Sequence, residues 1–362
     1  MSLDWHLPYL TDDLPGIGGQ LRVALEDFVV DEVPAYEPGG EGEHTFFGVE
    51  KRDISTPLLV REIAQALGVS TRKISYAGLK DARAVARQVL SAHFVPPEQL
   101  LDLQLERARV LWAKRHRNKL RIGHLKGNRF TIRVRDVHPE AELRAAPILS
   151  ALQEVGVPNG YGVQRFGNRG TNHEIGLLIL RNDREGLEEH GIRSLPYRQR
   201  RFYVSALQSA LFNRYLAVRI EEGLLDGLLL GDVAKKHDTG GMFTVEDVTA
   251  ERPRVRNWEI SATGPIYGYK MMPARDVAGE LEAQILAQAA LTLEEFRPVK
   301  AKGTRRHVRY PPEDLNWYVE ERSLVVSFFA PKGSFATMLL RELMKPEREP
   351  EEEGEEEEEE EG

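Results

Sequence analysis

The sequence predicts a soluble globular chain of mixed helix and strand, divided into two or three domains. Three observations carry this. Its 362 residues exceed the roughly 100–200 residues of one domain. Its first third alternates short apolar runs with turn residues, whereas its middle carries apolar residues at helical spacing. Hydrophobic residues make up 41% and charged residues 29%, a globular balance. No apolar run approaches the roughly 20 residues that cross a bilayer. The N-terminus lacks a basic segment followed by an apolar one, so no secretory signal is expected. The absence of cysteine excludes disulfide scaffolds, thiol nucleophiles and zinc–cysteine or iron–sulfur sites, and a cytoplasmic location is expected.

Each element has its own signal. Leu21 to Val33 reads as strand, turn, strand, and residues 37–45 (EPGGEGEHT) as a loop. HTFFGVEKR (44–52) reads as a strand. Thr56 opens an amphipathic helix with Pro57 in its first turn and Gly68 at its end. KISYAGL (73–79) is a short strand leading to a turn at Lys80-Asp81, and VARQVLSAHF (85–94) another strand. Residues 108–135 have strand-like ends around a basic run. Residues 139–156, 171–180, 200–225 and 275–295 read as helices. Residues 226–241 read as turn and strand, and 299–307 as a basic linker. Strands follow, before a last helix over 334–344.

Charge is unevenly placed. The formal net charge is −8, yet residues 347–362 hold twelve Glu and one Arg, which leaves +3 on residues 1–346. That low-complexity tail is expected to be disordered. It fits a solubilising segment, or a mimic of phosphate. The body favours arginine, 36 against 13 lysines, and arginine grips phosphate with two prongs. His237 with Asp238, and His6 with Asp12 and Asp13, have no regular ligand spacing, so no metal site is expected. GEGE (40–43) lacks the strand and helix context of a phosphate-binding loop.

The most informative stretch is YAGLKDARAVARQ (76–88). An aspartate follows a strand-like run, beside Lys80 and near Arg83 and Arg87. Basic neighbours can hold a carboxylate ionised, and an ionised carboxylate can act as nucleophile or general base. Taken alone, a Lys-Asp turn is more often a solvated surface pair. Other segments accompany it: EDFVVDEV (26–33), GEGEHT (40–45), HRNKLRIGHLKGNRFTIRVR (116–135), PNGYGVQRFGNRG (158–170), VSALQSALFNRYL (204–216), TGPIYGYKMM (263–272) and APKGSFATMLLREL (330–343). In this order they resemble the tRNA pseudouridine synthase D (TruD) family over residues 21–345.

The resemblance implies an α+β pseudouridine-synthase fold, a mixed and mostly antiparallel sheet with flanking helices. It implies a catalytic domain of 1–158 and 304–346, interrupted by an inserted α/β TRUD domain at 159–303, with RNA lying between them. It implies isomerisation of uridine to pseudouridine in tRNA, typically at position 13 of the D-arm, with no cofactor and no metal. Asp81 corresponds to the catalytic aspartate. Phe28, Asn128, Phe130 and Phe335 correspond to pocket residues around a flipped-out uridine. Glu32, Lys80, Arg83 and Arg165 are candidates for supporting the aspartate or contacting phosphate. Read from residue type alone, a strand Phe is more often a core residue, and Asn128 between Gly127 and Arg129 fits a turn residue. The basic run 114–129 fits either an RNA-phosphate track or a solvated hairpin. Where the family commonly has Tyr-Phe-Gly, this chain has Gly160-Tyr161-Gly162. The expected partner is tRNA and the expected state a monomer without membrane contact. A tRNA-binding protein or RNA chaperone on the same fold is the alternative, and the intact Gly-Leu-Lys-Asp segment favours the enzyme.

Overall fold

The computed structural model describes residues 3–167 and 169–346; the acidic tail expected to be disordered lies outside the described residues. The chain divides into two compact units. One comprises Gly16–Ala146 and Pro312–Ala336; the other comprises residues 3–15, 147–311 and 337–346.

The first unit is built on β1 (Phe28–Pro34), β2 (His44–Arg52), β3 (Ile74–Tyr76), β4 (Val85–His93), β5 (Ala108–His116) and β6 (Leu125–Arg135). Its helices are α1 (Thr56–Leu67) and α2 (Pro97–Leu101). After α3 (Ala141–Val155), α4 (Asn172–Arg181), α5 (Arg184–Glu189) and α6 (Tyr197–Glu221) lie in the second unit. That unit also holds β7 (Val157–Pro158), β8 (Val233–Lys236), β9 (Met242–Thr244), β10 (Ile260–Ile266), β11 (Thr304–His307) and β12 (Arg309–Tyr310). The chain then returns to the first unit for β13 (Glu313–Glu320) and β14 (Ser323–Pro331).

In the first unit the strands form one sheet in the order β13-β14-β6-β1-β4-β2-β5, with β3 beside β4. Only the β1–β4 pairing among these is parallel. Alternation explains why the sheet has two unlike faces. On β2, Phe47 and Val49 point to the core that α1 covers with Leu59, Val60 and Ile63. Helix α1 starts where the Ser55 hydroxyl accepts the Leu58 N–H at 3.4 Å, satisfying a donor that the first turn leaves open.

In the second unit β11-β10-β8-β9 form a separate sheet. Helix α6 buries most of its length, including Arg219, whose guanidinium meets the Asp232 carboxylate at 3.0 and 3.1 Å with both side chains fully enclosed.

Three local expectations change. Residues 21–24 are not a strand: Arg22 has a left-handed backbone (φ 56), and the chain makes a 3-10 turn at Leu25–Asp27. The reason is polar. The Asp27 carboxylate accepts the Ala24 N–H at 2.7 Å and is gripped by the Arg135 guanidinium at 2.7–3.0 Å. The basic linker is a strand in its second half, since β11 pairs with β10. The helix expected over 275–295 stops at Gln288, because Ala290 turns left-handed (φ 51). Among the described residues no helix is long and apolar enough to cross a membrane.

Candidate active site

Asp81 sits in an irregular segment between β3 and β4, so its position depends on side-chain anchors. Two hold it. The buried Lys51 ammonium donates to the Asp81 carbonyl at 2.6 Å and to the Ile54 carbonyl at 2.5 Å. The Arg22 guanidinium donates to Asp81 Oδ2 at 3.2 Å. The Asp81 side chain remains 38% exposed, so a substrate can reach the carboxylate. A left-handed arginine costs backbone energy, and such strain tends to mark functional positions. Here it aims Arg22 at Asp81 while its guanidinium covers the Phe28 ring, 4.4 Å from the centroid. Arg83 supports this loop by donating to the Arg22 carbonyl at 3.3 Å.

The neighbouring Lys80 turns inward. Its ammonium meets Glu32 Oε2 at 2.5 Å, and Glu32 Oε1 accepts the Val89 N–H at 3.2 Å. Their side chains are 3% and 1% exposed. A buried ion pair needs such extra donors to offset desolvation. The Lys80 N–H bonds the Thr56 hydroxyl at 3.1 Å, which in turn donates to Gln88 Oε1 at 3.2 Å. The segment is thereby tied to the start of α1 and to β4.

These contacts close a circuit. Asp81 meets Arg22, and Arg22 covers Phe28. Phe28 meets Phe130 edge-on at 6.2 Å. Asn128 lies two residues before Phe130 on the same face of β6 and pairs in register with Glu32. Glu32 binds Lys80, the residue before Asp81. Asn128 Oδ1 is buried with no hydrogen-bond partner among the described residues, and such orphaned acceptors are rare. Beside it Gly127 is required by close packing: a Cβ there would lie 2.2 Å from the Ala330 carbonyl of β14.

The structure thus brings together Asp81, Phe28, Asn128, Phe130, Glu32, Lys80 and Arg83. Phe28 and Phe130 are 1% and 6% exposed, and Phe130 also packs on Phe328 at 5.5 Å, as strand core residues do. Phe335 belongs to the same unit, follows the turn after β14 and is exposed at 42%. Arg165 belongs to the other unit, where its Nε donates to Ser209 Oγ at 3.1 Å and its Nη2 to Ser205 Oγ. In the basic run, Arg117 pairs with Glu41 and Arg129 with Asp314.

Arg22 and Lys51 were not singled out by sequence. Arg22 gave no signal in an apolar stretch. Lys51 gave one: it occupies the inward phase of β2 after Phe47 and Val49, a place where an ammonium must find buried acceptors. Among the described residues no three His, Asp or Glu side chains are grouped to hold a metal.

Comparison with known proteins decides the family. The family model described as tRNA pseudouridine synthase D (TruD) matches residues 5–190 and 184–343. The chain belongs to the TruD family. A tRNA pseudouridine synthase D from Thermus thermophilus is 46% identical, with 94% of this chain and 92% of that protein covered. One from Syntrophotalea carbinolica is 40% identical, with 94% and 99% covered. A Methanosarcina mazei protein whose crystal structure bears the TruD name shares the fold with a TM-score of 0.76 at 29% identity, covering 93% of this chain and 96% of that one. The α+β fold with its mostly antiparallel sheet is therefore the TruD fold.

Proposed function

We propose that Asp81 is the carboxylate with which this TruD-family chain isomerises uridine to pseudouridine in tRNA, at position 13 of the D-arm. The observation that carries this is the circuit joining an accessible, arginine-held carboxylate to an unsatisfied amide oxygen. The uracil must leave C1′ of the ribose, rotate, and reattach through C5, after which the C5 proton is removed and N1 ends protonated, so that N1–H replaces C5–H. A carboxylate can open this sequence by attacking C1′ or by removing the C2′ proton as the glycosidic bond breaks. Arg22 holds Asp81 Oδ2 at 3.2 Å and so fixes the direction in which the carboxylate points. No atom is lost and no oxidation state changes overall, so the isomerisation calls on no redox cofactor.

The target uridine is unstacked to enter the site. Asn128 Oδ1 supplies an acceptor for the uracil N3–H, which would satisfy its buried lone pairs. Phe28, covered by the Arg22 guanidinium, and Phe130 back the site with buried apolar surface, and Phe335, the exposed aromatic of the same unit, is the ring offered to the base. Glu32 and Lys80 keep the Asp81 segment in place from behind. Arg83 braces Arg22, and Arg165 contributes from its own unit to phosphate binding. The division expected from the sequence, a catalytic domain of 1–158 and 304–346 around an insertion at 159–303, remains part of this reading.

Pseudouridine mapping tests it. Unmodified tRNA transcripts are incubated with the protein and with Asp81→Asn, without cofactor or added metal, and modified sites are read by carbodiimide labelling and primer extension. A D-arm pseudouridine from wild type and none from the variant is the expected result. Product from both would show that Asp81 is not the reacting group. Tight tRNA binding with no product from either would leave an RNA chaperone.

A further inference from the structure

We propose that an open cavity on the sheet face turned away from Asp81 binds an unstacked nucleotide of the tRNA, one whose base carries an exocyclic amine. The inference rests on tRNA being the substrate and adds a second contact to it. The faces are separated by alternation along β2. Phe47 and Val49 face the α1 core, and Lys51 reaches Asp81. Phe46, Gly48 and Glu50 face the other way. Across that second face Arg87 joins Asp31 at 3.0 Å and Glu50 at 2.9 Å.

The cavity measures about 590 Å³, and Tyr36, Phe46, Val89, Trp112, Lys114 and Glu37 are among its lining residues. That volume suits a small ligand. Gly48 shapes it: a Cβ there would lie 2.2 Å from Trp112 Nε1, so the indole lies across bare backbone where any side chain would displace it. Tyr36 is 37% exposed. Aromatic rings at a solvent-open mouth are stacking platforms for a base. Lys114 is exposed and makes no ion pair or hydrogen bond among the described residues, which leaves its ammonium for a phosphate. It begins the basic run that continues through Arg115, Arg117 and Lys119, giving the backbone a track to follow. Glu37 is exposed and lines the same cavity, and its carboxylate accepts from the amino group of cytosine, adenine or guanine. Uracil has no such group, so the cavity is unlike a site for the target base.

Binding of end-labelled unmodified tRNA to Asp81→Asn protein, followed by anisotropy, tests this without turnover. Trp112→Ala should weaken binding about tenfold, as loss of one stacked base does. Lys114→Glu should weaken it and lower the salt dependence by about one phosphate contact. In the active protein both should raise KM and leave kcat in place, the mark of lost uniform binding. CMP should quench tryptophan fluorescence more than UMP, and Trp112→Phe should abolish the difference. Parent-like tRNA binding by both variants would overturn the proposal. So would a loss confined to Trp112→Ala with a lowered melting temperature, since packing on Gly48 would then explain it. Equal quenching by CMP and UMP would overturn the amine requirement. If the Asp81→Asn parent itself fails to bind tRNA, the substrate assignment falls as well.

Discussion

Replacing Lys80 by methionine is the most informative single perturbation of the site. The Lys80 ammonium lies 2.5 Å from Glu32 Oε2, with 3% and 1% of the two side chains exposed. Solvent therefore does little to screen the pair. In Lys80→Met, Glu32 keeps only the Val89 N–H bond at 3.2 Å among those described above. Removing one partner of a buried pair costs about 3–5 kcal/mol, and that range applies here. Glu32→Met should cost as much, because the ammonium is then the stranded charge. The double variant buries two apolar chains instead and leaves only the Val89 N–H without its acceptor, a cost of about 1–3 kcal/mol. It should therefore be roughly 2 kcal/mol more stable than either single variant. Urea unfolding with an unchanged m-value measures this. Pseudouridine formation then separates two roles. Activity that returns with stability means Lys80 only positions Asp81; activity that stays low means its charge is used in turnover. A Lys80→Met cost below about 1 kcal/mol, the level of exposed pairs, would refute the reasoning, since the pair would then behave as a solvated one.

Further outcomes follow from other contacts. Lys51→Met removes the donor to the Ile54 and Asp81 carbonyls; single-turnover assays should show a rate loss exceeding any change in tRNA affinity, with the protein destabilised by about 2–5 kcal/mol. Gly127→Ala forces a Cβ to 2.2 Å from the Ala330 carbonyl, and urea melts should show a loss of about 1–3 kcal/mol. In the second unit His237 and His307 stack with centroids 4.5 Å apart. Burial, reinforced by Arg309 and Lys235, pushes His237 down to about 4, and burial with His237 beside it pushes His307 down to about 3. From pH 6.5, their ordinary value, down to about 4 for His237 and about 3 for His307 the unfolded chain binds protons that the folded unit does not. Stability is therefore fully present above pH 6.5 and lost as pH falls through that window. Stability measured against pH should show this acid limb, and His237→Gln with His307→Gln should flatten it.

Much of the local structure was legible in the sequence because local signals set it. Thr56, Pro57 and Gly68 punctuate α1, and HTFFGVEKR (44–52) marks β2. Where a local pattern misled, long-range polar contacts overrode it: Arg135, more than a hundred residues away, grips Asp27 and turns the expected strand at residues 21–24 aside. The aspartate beside a lysine was likewise visible as a candidate, but the two residues take opposite environments. Lys80 is buried on Glu32, while Asp81 stays open to solvent.

The sequence by itself determined most of the elements, the family to which they belong, and the residue types that could do the chemistry. Only the tertiary structure decided which of them meet. Arg22 reaches Asp81 and Glu32 reaches Lys80 across about fifty to sixty positions, because β1 lies between β4 and β6 with one register. A slip of one residue would turn Glu32 and Asn128 to the opposite face. That choice is made by the packing of the whole sheet, which period and spacing along one strand do not encode.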